Sequence, residues 1–70
     1  MKFKTNAKCA HCEATILNHV RSAFPDAEWS MDLDSADKVL EVHGLPEDGE
    51  HAAKVEAAIA ESGFKGSWLQ

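Results

Sequence analysis

The 70-residue chain has no run near the ~18 consecutive apolar residues that a membrane-spanning helix requires. Nor does an apolar segment follow the opening lysines. Met1-Lys2-Phe3-Lys4-Thr5-Asn6 therefore lacks the layout of a secretory leader. Basic residues are few: 7 Lys and Arg stand against 12 Asp and Glu, a formal charge of −5. They are also scattered, as Lys2, Lys4, Lys8, Arg21, Lys38, Lys54 and Lys65. Nucleic-acid binders concentrate positive charge on one face, so neither DNA, RNA nor an anionic membrane surface is the expected partner. Cysteine is scarce too. Cys9 and Cys12 are too few for a disulfide scaffold, and in a reducing cytoplasm both stay free thiols. The expected location is cytoplasmic, and the expected chemistry is that of a metal or redox thiol.

Length imposes a further exclusion. Seventy residues suit one domain, and a fold of this size buries only about 60% of its unfolded surface. A hydrophobic content of 44% suffices for one small core. It leaves little room for an enclosed enzyme pocket of roughly 300 Å³ or more. No enzyme is expected.

What the sequence does contain is a clear order of periodicities. Phe3, Thr5 and Ala7 alternate with Lys2, Lys4 and Asn6, the period of a strand. Ile16, Leu17, Val20, Ala23 and Phe24 then recur at helical spacing until Pro25-Asp26 stops them. Trp29, Met31 and Leu33 alternate with Glu28, Ser30, Asp32 and Asp34, and a turn is expected over Asp34 to Asp37. Leu40 and Val42 face oppositely to Glu41 and His43, so the two runs read as a hairpin. Asp48 is placed to cap a second helix, Glu50 to Ser62, with Ala52, Val55, Ala58 and Ile59 as its buried stripe. Gly63 supplies the helix stop, and Gly66 to Gln70 forms a closing strand with Trp68. The order is that of the ferredoxin-like βαββαβ fold, an α+β class in which two helices cover one face of a four-stranded antiparallel sheet.

The chemistry gathers in Asn6-Ala7-Lys8-Cys9-Ala10-His11-Cys12-Glu13. Two cysteines three positions apart, in a loop entering a helix, turn both sulfurs toward one point. Unpaired N–H groups and about half a positive charge at the helix start favour anions there. Thiolate is the metal-binding form, and this location lowers a cysteine pKa, most of all for Cys12 in the first turn. Soft sulfur ligands select copper(I), zinc and iron–sulfur clusters. Structural zinc wants four ligands, whereas copper(I) is content with two sulfurs nearly in line. The expected cargo is thus Cu(I), with Zn(II) or another soft heavy metal as the alternative. A zinc ion bridging the cysteine pairs of two chains is the corresponding dimeric arrangement.

Over essentially all 70 residues the chain resembles the heavy-metal-associated domain family. That family comprises copper chaperones and the metal-binding domains of copper-transporting P-type ATPases. The resemblance rests on Cys9-Ala10-His11-Cys12 between first strand and first helix, on Ile16 four residues later, and on Gly63-Phe64 before the last strand. It implies residues 1–70 as a single heavy-metal-associated-like domain, Cys9 and Cys12 as the metal ligands, and Phe64 as the aromatic shielding them. It also implies metal transfer to a metal-transporting ATPase or another metal-accepting protein, by a monomer or a metal-bridged dimer. Met1 at the start and the lack of linker sequence favour a free-standing chaperone over an excised domain. One position departs: the family usually has methionine two residues before the first cysteine, where this chain has Ala7. A looser or repacked loop is expected there.

Other readings of these residues stay open. Cys-x-x-Cys after a strand is also the thioredoxin-like arrangement, although neither Pro25 nor Pro46 is placed to face the cysteines and the hairpin between the helices gives another order. His11 carries a ligating ring, but in an exposed loop such a side chain usually faces solvent. His19 lies two helical turns, roughly 10 Å, beyond Cys12, too far for the same ion. His43 and His51 read as surface residues, and Met31, Trp29 and Trp68 as packing. Asp32, Asp34 and Asp37 lack the glycine and glutamate of a calcium loop.

Overall fold

A computed structural model describes residues 1–32, 34 and 38–69. The elements are β1 (Lys2–Thr5), α1 (Ala10–Ala23), β2 (Glu28–Asp32), β3 (Val39–His43), α2 (Gly49–Glu61) and β4 (Gly66–Leu69). The βαββαβ order is the expected one. Expectations for Leu33, the turn at Ser35, Ala36 and Asp37, and Gln70 lie outside the described residues. Strands pair antiparallel throughout, in the order β2-β3-β1-β4.

Register turns the alternation into a core. Met31 pairs with Leu40, Leu40 with Phe3, and Phe3 with Trp68, so one row of apolar side chains crosses all four strands. Phe3 and Leu40 are fully buried, while Met31 and Trp68 at the two edges are half-buried. The opposite face carries Lys2, Lys4, Glu28, Ser30, Glu41 and Ser67, with Val39 and Leu69 among them. Helices α1 and α2 lie side by side against the apolar face, each also touching one edge strand. They bury Ile16, Leu17 and Val20 from α1 and Ala52, Val55, Ala58 and Ile59 from α2. Each fully buried large side chain contributes about 1.5–3 kcal/mol.

Helix ends follow local chemistry. Phe24 closes α1, its N–H donating to Val20 O at 2.8 Å, and the Trp29 indole N–H donates to Phe24 O at 3.4 Å. The chain therefore turns back into β2 with Phe24 and Trp29 in ring contact. α2 begins and ends one residue earlier than the apolar stripe suggested, behind Asp48 and before Ser62. Gly63 adopts φ +95°, the left-handed conformation that glycine takes without strain. Gly66 is glycine for a different reason: a Cβ there would meet Ile59 Cδ1 at 2.5 Å. The missing Cβ lets β4 lie close under α2. Both glycines thus shape the turn that returns the chain to the cysteine loop.

Candidate metal centre

Cys9 is the N-cap of α1, in extended conformation (φ −154°, ψ 173°), and Cys12 is the helix's third residue. The first helical bond runs from Glu13 N–H to Cys9 O at 3.0 Å. With the helix wound between them, the two sulfurs stand 3.2 Å apart. Both are free thiols; Cys9 is exposed and Cys12 half-buried against the core. The pair is thus anchored below and open above.

Electrostatics favour an anion at Cys12. Its thiol is held below the ordinary value of 9.0, chiefly by main-chain hydrogen bonding from Lys8 and next by the hydrogen bond with Cys9. Partial burial pulls weakly the other way. The Cys9 side chain makes no capping bond to the helix; the main chain around it acts on the Cys12 sulfur instead.

Three contacts fix the loop in front of the cysteines. The buried Thr5 hydroxyl donates to Lys38 O at 2.6 Å and accepts from Ala7 N–H at 3.4 Å. Asn6 and Lys65 bond reciprocally: Asn6 N–H donates to Lys65 O at 3.2 Å, and Lys65 N–H donates to Asn6 Oδ1 at 2.8 Å. Ala7 is buried in the core cluster at 1% exposure, facing inward as strand parity requires. Phe64, adjacent to Lys65, is half-buried against the same core. The clamp therefore draws the Phe64–Lys65 turn to the cysteine loop. Sequence reasoning placed Thr5 inward but missed its hydroxyl and missed Asn6. An asparagine in a loop is a known main-chain partner, but nothing local points to a partner 59 residues away.

Among the described residues, no third His, Cys, Asp or Glu joins the two cysteines in a ligand set. His11 is exposed. His19 meets Glu61 of α2 at 3.3 Å, His43 meets Glu41 at 2.8 Å, and His51 meets Asp48 at 2.8 Å. A cavity of about 140 Å³ lies beside the clamp, lined by Lys4, Thr5, Asn6, Lys65, Gly66 and Ser67. It falls below the roughly 300 Å³ of an ordinary small-molecule pocket. Among the described residues no helix is long and apolar enough to cross a membrane.

No protein-family model matches the chain, and no curated protein matches it in sequence. Solved structures do match in three dimensions. The copper chaperone Atx1 from Synechocystis PCC6803, in its Cu2 form, superposes with a TM-score of 0.75 at 16% identity, over 96% of this chain and 98% of Atx1. A gold binding protein gives 0.76 at 21% identity, with 94% of each chain covered. Atu1203 of Agrobacterium tumefaciens gives 0.71 at 23% identity, over 93% of this chain and 94% of that one. Across nearly full lengths of both partners, at identities this low, what the chain shares with these proteins is the ferredoxin-like fold.

Proposed function

We propose that this chain binds a soft metal ion, copper(I), between the thiolates of Cys9 and Cys12 and passes it to another protein by ligand exchange. The observation that carries this reading is the pair of free sulfurs 3.2 Å apart at the start of α1. Two soft anions and no third ligand from the described residues suit an ion satisfied by low coordination. The reading also draws support from structural neighbours that include a copper chaperone and a gold binding protein, since both metals favour sulfur.

Exposure sets the order of events. An incoming thiolate from the acceptor adds to the ion above the exposed Cys9, forming a third metal–sulfur bond. One of the original bonds then breaks, and that sulfur takes a proton from water. A second exchange releases the other cysteine. The metal changes neither oxidation state nor protein surroundings by way of free solution. The Cys12 anchor, half-buried and already biased toward thiolate, is the last to leave. The role is that of a carrier rather than an enzyme. Its setting is cytoplasmic, and its acceptor is a protein presenting thiolates of its own, such as a metal-transporting ATPase. The unit is residues 1–70 as one domain, acting as a monomer.

Anaerobic titration with Cu(I) against a chromogenic chelator tests this reading. One ion per chain in the wild type and none in the Cys9→Ser, Cys12→Ser double variant is the expected result. Retained binding in the double variant overturns the assignment of these ligands. Native mass measurement in the same titration distinguishes the bridged alternative, which gives one ion per two chains. The sulfur separation also favours a second reading, thiol–disulfide exchange. Insulin-reductase activity in the wild type, absent from the double variant, would select it.

A further inference from the structure

Asn6 lies three residues before Cys9, and its side chain makes no contact with either cysteine among the hydrogen bonds of the structure. It reaches instead across the end of the sheet. Its Oδ1 accepts the Lys65 N–H at 2.8 Å while its own N–H donates to Lys65 O at 3.2 Å. This two-bond ring is made by residues 59 apart in sequence. It continues the β1–β4 ladder, which pairs Thr5 with Gly66, one step past the last strand residues. In a regular antiparallel pair the Asn6 main-chain carbonyl would accept the second bond; here the side-chain Oδ1 takes its place. The second bond is thus made by the side chain at position 6.

We propose that Asn6 is a positioning residue that couples the cysteine loop to the Phe64–Lys65 turn and thereby slows release of a metal held by Cys9 and Cys12. The inference rests on the two-thiolate reading given above. The physical reasons are local. On the cysteine side, Ala7 offers only a methyl group to the core beneath the loop, so side-chain packing does little to hold the segment. Thr5 fixes the Ala7 N–H from one side at a long 3.4 Å. Asn6 supplies the shorter bond from the other side. On the far side, Phe64 N–H donates to Ile59 O at 3.3 Å and the turn leaves α2 through Gly63 at φ +95°. The Gly63 N–H on Ala60 O at 3.0 Å joins that bond in pinning the start of the turn to the end of α2. Lys65, held by Asn6 at both its N–H and its carbonyl, pins the other end to the cysteine loop. Loss of the side-chain acceptor removes the shorter of the two Asn6–Lys65 bonds beyond the last strand pair. The sulfurs then gain freedom to separate, and the aromatic ring of Phe64 gains freedom to move off the core.

Three variants test the proposal. Asn6→Ala deletes the acceptor, Asn6→Asp keeps one, and Glu56→Ala removes a comparable side-chain acceptor, that of the Trp68 N–H at 2.8 Å, elsewhere on β4. The readouts are the rate of Cu(I) removal by bicinchoninate, the hydrogen-exchange protection of the Lys65 amide, and the Tm. One side-chain hydrogen bond changes an equilibrium by about two- to tenfold. Removal from Asn6→Ala is expected to be faster by a factor in that range, with Lys65 protection lost. Asn6→Asp restores both. Glu56→Ala lowers Tm by a similar amount and leaves the removal rate at the wild-type value. An unchanged rate in Asn6→Ala, or an equal acceleration in Glu56→Ala, overturns the proposal. Both results are distinct from failure of the metal site itself, which appears as Cu(I) retained by the Cys9→Ser, Cys12→Ser double variant.

Discussion

Helix α2 starts behind Asp48, whose carboxylate accepts the His51 N–H at 2.8 Å, whereas α1 starts behind Cys9, whose side chain caps nothing. The backbones at the two caps are nearly the same, extended at φ −137°, ψ 166° and at φ −154°, ψ 173°. Both first turns carry a glutamate, Glu50 and Glu13. Only the side chain at the cap differs. At α2 a hard anion is part of the fold: it is held below its ordinary 3.8, first by the His51 main chain and then by the His51 ring. At α1 the anion is a thiolate, Cys12, favoured first by the Lys8 main chain and then by the hydrogen bond with Cys9. A carboxylate or hydroxyl cap is generally worth about 1 kcal/mol. At α1 this small protein forgoes that stabilisation. It does so at the end where the donors face two sulfurs.

Exchanging the caps has the largest expected effect. Cys9→Asp gives α1 the cap of α2 and removes one of the two ligands. Stoichiometric Cu(I) binding is expected to vanish in the chelator titration, while Tm rises by about 4 °C or more. A variant that loses binding without gaining Tm would show that the α1 cap position is not the unsatisfied end described above. Next in size is Asp48→Ala, which removes the α2 cap. A loss of several degrees in Tm is expected, with the Cu(I) affinity unchanged.

The third prediction concerns acid. Asp48 has its folded value depressed, so its contribution is fully present above the ordinary carboxylate range and is lost as pH falls through the lowered value. Thermal scans from about pH 5 down to about pH 2 should therefore show a steeper loss of Tm in the wild type than in Asp48→Asn, which caps without ionising. Smallest is the corresponding effect at α1. The rate of Cys12 alkylation by iodoacetamide should reach half its plateau below pH 9.0, read in a Cys9→Ala background that also removes one of the contributing bonds. A half-point at or above the ordinary value would mean that the Lys8 main chain does not act as described.

The two ends also differ in how much of them could be read from the residues alone. The α2 start was fully local: Asp48, followed by an apolar stripe at Ala52 and Val55, is a cap signal within one helical turn. The strand faces were equally legible, since Phe3, Thr5 and Ala7 alternate with exposed neighbours and the register preserves that parity. So was the presence of two sulfurs at the mouth of α1, because the helical period fixes where Cys12 sits relative to Cys9. What could not be read were bonds between residues far apart in sequence. The Asn6–Lys65 pair, the Thr5 hydroxyl on Lys38 and the His19–Glu61 contact between the helices all depend on which strands and helices become neighbours. Alternation reports which face a residue takes; it carries nothing about who stands opposite. The resemblance drew attention to the alanine at position 7. The contacts that hold the loop lie just before it, at Thr5 and Asn6.

X-ray absorption at the copper edge of the Cu(I)-loaded chain measures the ligand set directly. Two sulfur neighbours per copper, with no nitrogen or oxygen in the inner shell, is the result expected of Cys9 and Cys12 acting alone. A shell containing imidazole nitrogen from His11, or four sulfurs drawn from two chains, would contradict it.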